Sequence, residues 1–272
     1  MTLRLFLNVV SLEARKAISY RLAFWIQAIV AVIAGFAIPY YLWTAIFSAN
    51  PEQATIGGKS RDGMILYYVI VILISNFVRG VDMGLGLSRE IYDGSLTRYL
   101  VYPTRYVVFK YAQNIGGLLP GFVQALFMAA LFVTFLQVPA GVEITLMSTL
   151  QAIVTIAFAN LLYYTMSLPI MGVAFWADNV WSLAVLMRFV AGFLGGLMLP
   201  LSAFPEGWIQ DTLRWLPFRC FYDLPVSTFL GKIEFSEWLQ ALGLGAAWGI
   251  LFALIGRFVW SRGDLRYTGV GI

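Results

Sequence analysis

Residues 25–43 read WIQAIVAVIAGFAIPYYLW, and the order of their side chains decides the architecture. A membrane-spanning strand alternates apolar and polar residues over about 10 positions. This stretch does not alternate, so it predicts a helix, whose backbone satisfies its own N–H and C=O groups in hydrocarbon.

Five more apolar runs follow. A bilayer core about 30 Å thick asks for about 20 apolar residues per helical span. Residues 22–47, 63–86, 106–136, 145–175, 180–203 and 236–259 each meet that length. Of all residues, 60% are hydrophobic and 12% charged, where a soluble domain carries about 25% charged. Mean hydropathy is +0.80. The expectation is an all-α integral membrane protein with six transmembrane helices in one domain, residues 1–272. An even number of spans puts both termini on one side.

Lys and Arg decide which side. Arg4, Arg15, Lys16, Arg21, Arg89, Arg98, Arg105, Lys110, Arg257, Arg262 and Arg266 fall on one, and Lys59, Arg61, Arg214, Arg219 and Lys232 on the other. Cytoplasmic loops carry the excess of Lys and Arg, so both termini are expected in the cytoplasm. The net charge of +4 is read as this asymmetry, and no nucleic-acid partner is expected. The opening stretch MTLRLFLNVVSLEARKAISYR lacks the basic cap, apolar middle and small-residue site of a cleavable signal. Its Arg4, Asn8, Ser11, Arg15 and Ser19 share one helical face, and Leu3, Phe6, Val10, Ala14 and Ala17 another. That is the pattern of a helix, residues 1–21, lying in the membrane surface.

Residue types that do chemistry are scarce. No histidine occurs, which removes the commonest metal ligand, and the single Cys220 has no disulfide partner within the chain. GGKS at residues 57–60 ends like a phosphate-binding loop, but the first glycine of G-x-x-x-x-G-K-[ST] would fall at Gln53 and no strand precedes it. Asp82 and Asp178, the acids nearest membrane depth, stand on different segments. No catalytic, cofactor or metal site is expected in this chain. Arg79 and Asp82 are three apart and would share a helical face. They either line a translocation route or end span two as a snorkelling pair. Arg188, inside span five with no obvious partner close by in sequence, is the better pathway candidate, or else a side chain reaching the cytoplasmic interface. Gly117 with Gly121, and Gly245 with Gly249, have the spacing that lets helices approach closely.

Residues 195–232, GGLMLPLSAFPEGWIQDTLRWLPFRCFYDLPVSTFLGK, are broken by Pro200, Pro205, Pro217 and Pro225, each lacking the N–H that a helix interior needs. Between them, Trp208 to Trp215 has helical spacing, with Asp211 and Arg214 on the wetter side. One or two short helices dipping back into the outer boundary are expected there, where tryptophan prefers to sit.

Residues 88–110, SREIYDGSLTRYLVYPTRYVVFK, concentrate charge in the first inner loop. A helix through Ile91, a break at Asp93-Gly94 and a second short helix would gather Leu96, Tyr99 and Leu100 into an apolar edge. Arg89, Glu90, Asp93 and Arg98 would then face water or a partner, as suits a docking element.

Six spans, the basic interfacial helix, REIYDGSLTRYLVYP after span two and LPLSAFPEGWIQDTLRWLPFRCFYDLPVSTFLGK before span six together resemble the type-2 permeases of ABC exporters, which include drug and polysaccharide exporters. The resemblance covers essentially the whole chain. It implies a permease of the plasma, or bacterial inner, membrane that moves a lipid-like, glycan or amphipathic substrate. Its partners would be a second permease, identical or related, membrane lipid, and a pair of cytosolic ABC ATPase subunits that bind ATP and Mg. Arg89, Glu90, Ile91, Tyr92, Asp93, Gly94, Ser95, Leu96, Arg98 and Tyr99 would form the coupling helix that docks on the ATPase. Pro200, Pro205, Trp208, Trp215 and Pro217 would belong to re-entrant helices closing the outer exit. An ATP-independent transporter or channel, and a membrane scaffold, stay open as alternatives.

Overall fold

The computed structural model describes residues 1–19, 21–80, 83–135, 142, 144–177 and 179–268. Among them run α1 (Leu3–Ser19), α2 (Arg21–Ala49), α3 (Arg61–Arg79), α4 (Met83–Tyr92), α5 (Thr97–Leu100), α6 (Tyr106–Phe135) and α7 (Leu146–Gly172). They are followed by α8 (Trp181–Gly195), α9 (Trp208–Trp215), α10 (Asp223–Phe229) and α11 (Phe235–Gly263). The described residues form no named strand, as the opening stretch required.

Five of these helices are long and apolar enough to cross a membrane: α2, α3, α6, α7 and α11. The sixth expected span, residues 180–203, yields only the 15-residue α8. At 1.5 Å per residue it covers about 22 Å, short of the hydrocarbon core. The cause is local: Gly196 ends the helix in the left-handed region at φ 100°, and Pro200 forbids its resumption. The irregular carbonyls that follow are not orphaned. Tyr67 donates its hydroxyl to the Gly196 carbonyl and Tyr68 to that of Met198, both at 2.7 Å. Such partners are what non-helical backbone at membrane depth demands.

Span two is likewise shorter than the expected 63–86. Helix α3 stops at Arg79 because Gly80 takes φ 73°, ψ −177°, a region essentially reserved for glycine. The helical continuity assumed between Arg79 and Asp82 is therefore broken, and Asp82 itself, like Asp178, lies outside the described residues. A Cβ on Gly80 would meet Asn114 Oδ1 at 2.1 Å. Asn160 of α7 donates to the Phe77 carbonyl at 2.8 Å and accepts from Asn114 of α6 at 3.2 Å. The broken end of α3 is thus tied to two neighbours.

Helix α3 is the most buried of the five long helices, with Met64, Tyr67, Val71 and Val78 enclosed against α2, α6, α7 and α10. Helices α7 and α11 pack tightly along Gly245, Gly249 and Gly256, which face Phe158, Leu162 and Leu168 respectively. The glycine spacing in α11 therefore serves packing inside one chain.

Two ends can be distinguished. Helix α1, the 83–105 region and the segment after α11 gather at one, here termed the near end. Residues 50–60 and 196–234 gather at the far end. Helix α1 packs Val9 and Val10 on Ala112 of α6, with Glu13 accepting from Gln113 at 2.8 Å. This differs from the expected division of faces. Leu3, Leu7, Leu12 and Ile18 are exposed, and Val9 and Val10 are the buried residues of the helix.

Candidate functional site

At the near end, α4, a turn and α5 form the helix, break and short helix that the charged stretch predicted. Gly94 makes the break at φ 71°, with Asp93 N–H reaching the Arg89 carbonyl and Leu96 N–H the Glu90 carbonyl at 2.8 and 2.9 Å. Leu87, Ile91 and Leu96 are each 2% exposed and pack with Leu168, Met171, Phe175 and Trp260. Tyr99 joins the buried side. Of the apolar edge read from the sequence, Leu96 and Tyr99 therefore belong to the root of the loop, and the Leu100 side chain lies outside the described residues.

Glu90 departs from expectation. It faces inward, where its carboxylate accepts from Lys110 Nζ at 2.6 Å, from Tyr99 Oη at 3.0 Å and from Tyr106 Oη. Arg98 approaches within 3.5 Å. Lys110 is itself buried and stands 4.5 Å from the centre of the Tyr99 ring. A carboxylate with this many donors is strongly held, so Glu90 ties α4 to α5 and α6. Nothing local in the sequence signals it, because Lys110 lies 20 residues away.

A second tie comes from beyond α11. Tyr267 Oη donates to the Gly94 carbonyl at 2.6 Å and accepts from Thr97 N–H at 3.1 Å. Its ring meets Phe175 edge-on at 6.3 Å. Tyr267→Phe keeps the ring and removes both bonds together with the 3.0 Å hydroxyl contact to Thr97 Oγ1, each worth about 1 kcal/mol. The expected result is roughly fivefold faster hydrogen exchange at the Thr97 amide with the long helices unchanged.

What remains outward is a rim. Arg89 and Asp93 pair at 3.3 Å on the exposed surface, beside exposed Tyr92, Arg98, Val101 and Tyr102. Gly94 and Ser95 are half-buried at the turn.

Deeper in the bundle, Arg79 and Arg188 line one cavity of about 180 Å³ with Asn76, Asn114, Tyr163 and Ser167. The two arginines named separately in the sequence are thus brought to a common polar space.

The far end holds what sequence reading missed. Arg219, only 13% exposed at its side chain, lies 3.6 Å from buried Asp223 and 2.7 Å from Glu237. Burial raises the Asp223 carboxyl above its ordinary range, opposed by Arg219 and Lys59. Burial also lowers the Lys59 ammonium, with Asp223 opposing. The four-residue spacing of Arg219 and Asp223 was a readable signal, masked by the helix break between them. Of the expected gate residues, Pro200 and Pro217 are buried and Pro205, Trp208 and Trp215 exposed. Trp208 and Trp215 bound α9 as the spacing predicted.

Residues 33–271 match the profile described as ABC-2 family transporter protein. The chain belongs to the ABC-2 transporter family. Comparison with curated proteins and with solved structures gives no match. The family assignment makes this chain a permease, a multi-pass membrane component of transport. The matched region runs from α2 to the segment after α11, so it includes the whole Glu90 cluster, the Tyr267 tie and the far-end ion pairs. In this ABC-2 permease α1 alone of the helices lies wholly before the match.

Proposed function

We propose that the chain is the membrane subunit of an ATP-driven exporter and takes its force from a separate pair of ABC ATPase subunits through residues 83–102. In this reading the near end and both termini are cytoplasmic, in the plasma or bacterial inner membrane. A second permease, identical or related, completes the pathway, and ATP and Mg are bound by the ATPases. The substrate is a lipid-like, glycan or amphipathic molecule. Pro200, Pro205, Trp208, Trp215 and Pro217 belong to outer re-entrant helices that close the exit.

The observation that carries the reading is the construction of the 83–102 loop. A force-transmitting element has to be stiff at its root and accessible at its tip. The root is bound by Glu90 to α6 and by Tyr267 to the end of α11, while Arg89, Tyr92, Arg98, Val101 and Tyr102 remain uncovered. Mixed charge and aromatic groups on one rim suit a protein partner.

The test is association with the cognate ATPase. The side chains of Arg89 and Val101, the latter 79% exposed, lie outside the buried cluster at the root. The double variant Arg89→Glu, Val101→Asp is expected to insert and fold as the parent does while copurifying at least about tenfold less ATPase. Unchanged copurification would refute the docking assignment. Transport by the purified permease with no ATPase present would refute the ATP-driven reading altogether.

A further inference from the structure

The GGKS stretch that mimics a phosphate-binding loop has another use. Gly57 and Gly58 both take positive φ, 56° and 70°, and Ile56 and Lys59 exchange backbone hydrogen bonds across them at 3.0 and 3.1 Å. This is the tight two-residue turn that glycine pairs favour. Ser60 then caps α3, accepting from Gly63 N–H at 3.2 Å. The turn is pressed against residues 201–203: a Cβ on Gly57 would lie 2.5 Å from the Ser202 carbonyl oxygen. Its effect is to hold Lys59, 9% exposed, against a cavity of about 340 Å³.

That cavity is unusual in its charge. Lys59, Arg214, Arg219 and Lys232 line it, against Asp223 and Glu237: four positive groups and two negative, a surplus of two. Both carboxylates are engaged by Arg219. Lys59 donates to the neutral Ser202 hydroxyl and, among the described residues, makes no ion pair. The same holds for Lys232. Arg214 has only Asp211, at 4.0 Å and well exposed. Ser227 and Gln210 add polar groups to the wall. A concave site with surplus positive charge and several donors concentrates anions. A surplus of two matches a phosphate dianion better than a single carboxylate.

The position of the cavity points to a source. Its wall includes α9, whose terminal residues Trp208 and Trp215 are 77% and 70% exposed, and tryptophans of this kind sit at headgroup level. We infer that the far-end cavity binds the phosphate of an anionic amphiphile, with Lys59, Lys232 and Arg214 as its cationic contacts. This site is independent of the ATPase reading, and its test contains no ATPase.

The full chain is placed in phosphatidylcholine nanodiscs, and binding of phosphatidic acid is measured by native mass spectrometry, with inorganic pyrophosphate as the soluble arm and a fatty acid as carboxylate control. Saturable binding of phosphatidic acid over the fatty acid, weakened about tenfold in Lys232→Gln, Arg214→Gln, is the expected result. Both side chains are exposed, so that variant keeps the fold. Lys59→Met is expected to lose more, and its folding is checked by size exclusion. Pyrophosphate that binds and displaces phosphatidic acid would assign the same site to a soluble phosphate compound. No saturable binding of either probe, or equal binding by the Lys232→Gln, Arg214→Gln variant, overturns the inference.

Discussion

Glu90→Ala is expected to destabilise the near end by about 3 kcal/mol and, on the ATP-driven reading proposed above, to abolish transport. Removing one partner of a buried ion pair costs about 3–5 kcal/mol because the other charge stays buried and unpaired. Here the stranded group is Lys110, which would keep a hydrogen bond to the Tyr99 hydroxyl at 3.1 Å and the flanking Tyr99 and Tyr106 rings but no carboxylate. Tyr99 and Tyr106 would lose their acceptor as well. The Glu90 side chain retains 14% exposure, which places the estimate at the low end of that range. Glu90→Gln preserves shape and one carbonyl acceptor and is expected to fall between the parent and the alanine variant. Asp93→Ala breaks the exposed pair to Arg89 and should cost under about 1 kcal/mol. Thermal unfolding of the purified permease, with limited proteolysis across residues 89–102, separates these cases. Equal midpoints for Glu90→Ala and Asp93→Ala would refute the anchoring role of Glu90.

The second large effect is expected at Gly80→Ala. The backbone there sits at φ 73°, ψ −177°, and a non-glycine residue in that region is strained by about 1–3 kcal/mol. The added Cβ would also lie 2.1 Å from Asn114 Oδ1, displacing the side chain that bonds Asn160. A buried polar group left unsatisfied adds about 1–3 kcal/mol. The variant should fail to accumulate, or unfold well below the parent. Gly86→Ala is the control: it lies within α4, and a Cβ there meets nothing within 4 Å. It should be neutral or slightly stabilising, since alanine is the better helix former. A mild Gly80→Ala phenotype would mean that α3 can run on past residue 80.

These two sites mark where sequence reading reached its limit. The apolar runs were legible because hydrocarbon imposes length and composition on every span, and α4, α5 and α9 were legible because Asp93-Gly94 and the prolines punctuate them. Gly80 was not: a glycine within an apolar run reads as helix packing, and only its dihedrals reveal the stop. The shortening of α8 had a visible cue in Gly195-Gly196 and Pro200, outweighed by the continuous hydropathy around them. Glu90 reads as facing outward because it groups with the charges Arg89, Asp93 and Arg98, while its partners Tyr99, Tyr106 and Lys110 arrive from the next two helices. Lys59 reads in the sequence as an outer-side charge and as part of a phosphate-loop mimic, though it closes a charged cavity with residues more than 140 positions downstream.

The Tyr267 hydroxyl completes a turn that was translated 173 positions earlier. During biosynthesis, then, the loop stays unfinished until α11 and Tyr267 after it have left the ribosome and taken their places. A polypeptide stopped before Tyr267 would carry the rim residues without the brace behind them, and on the docking reading proposed above it would recruit less ATPase.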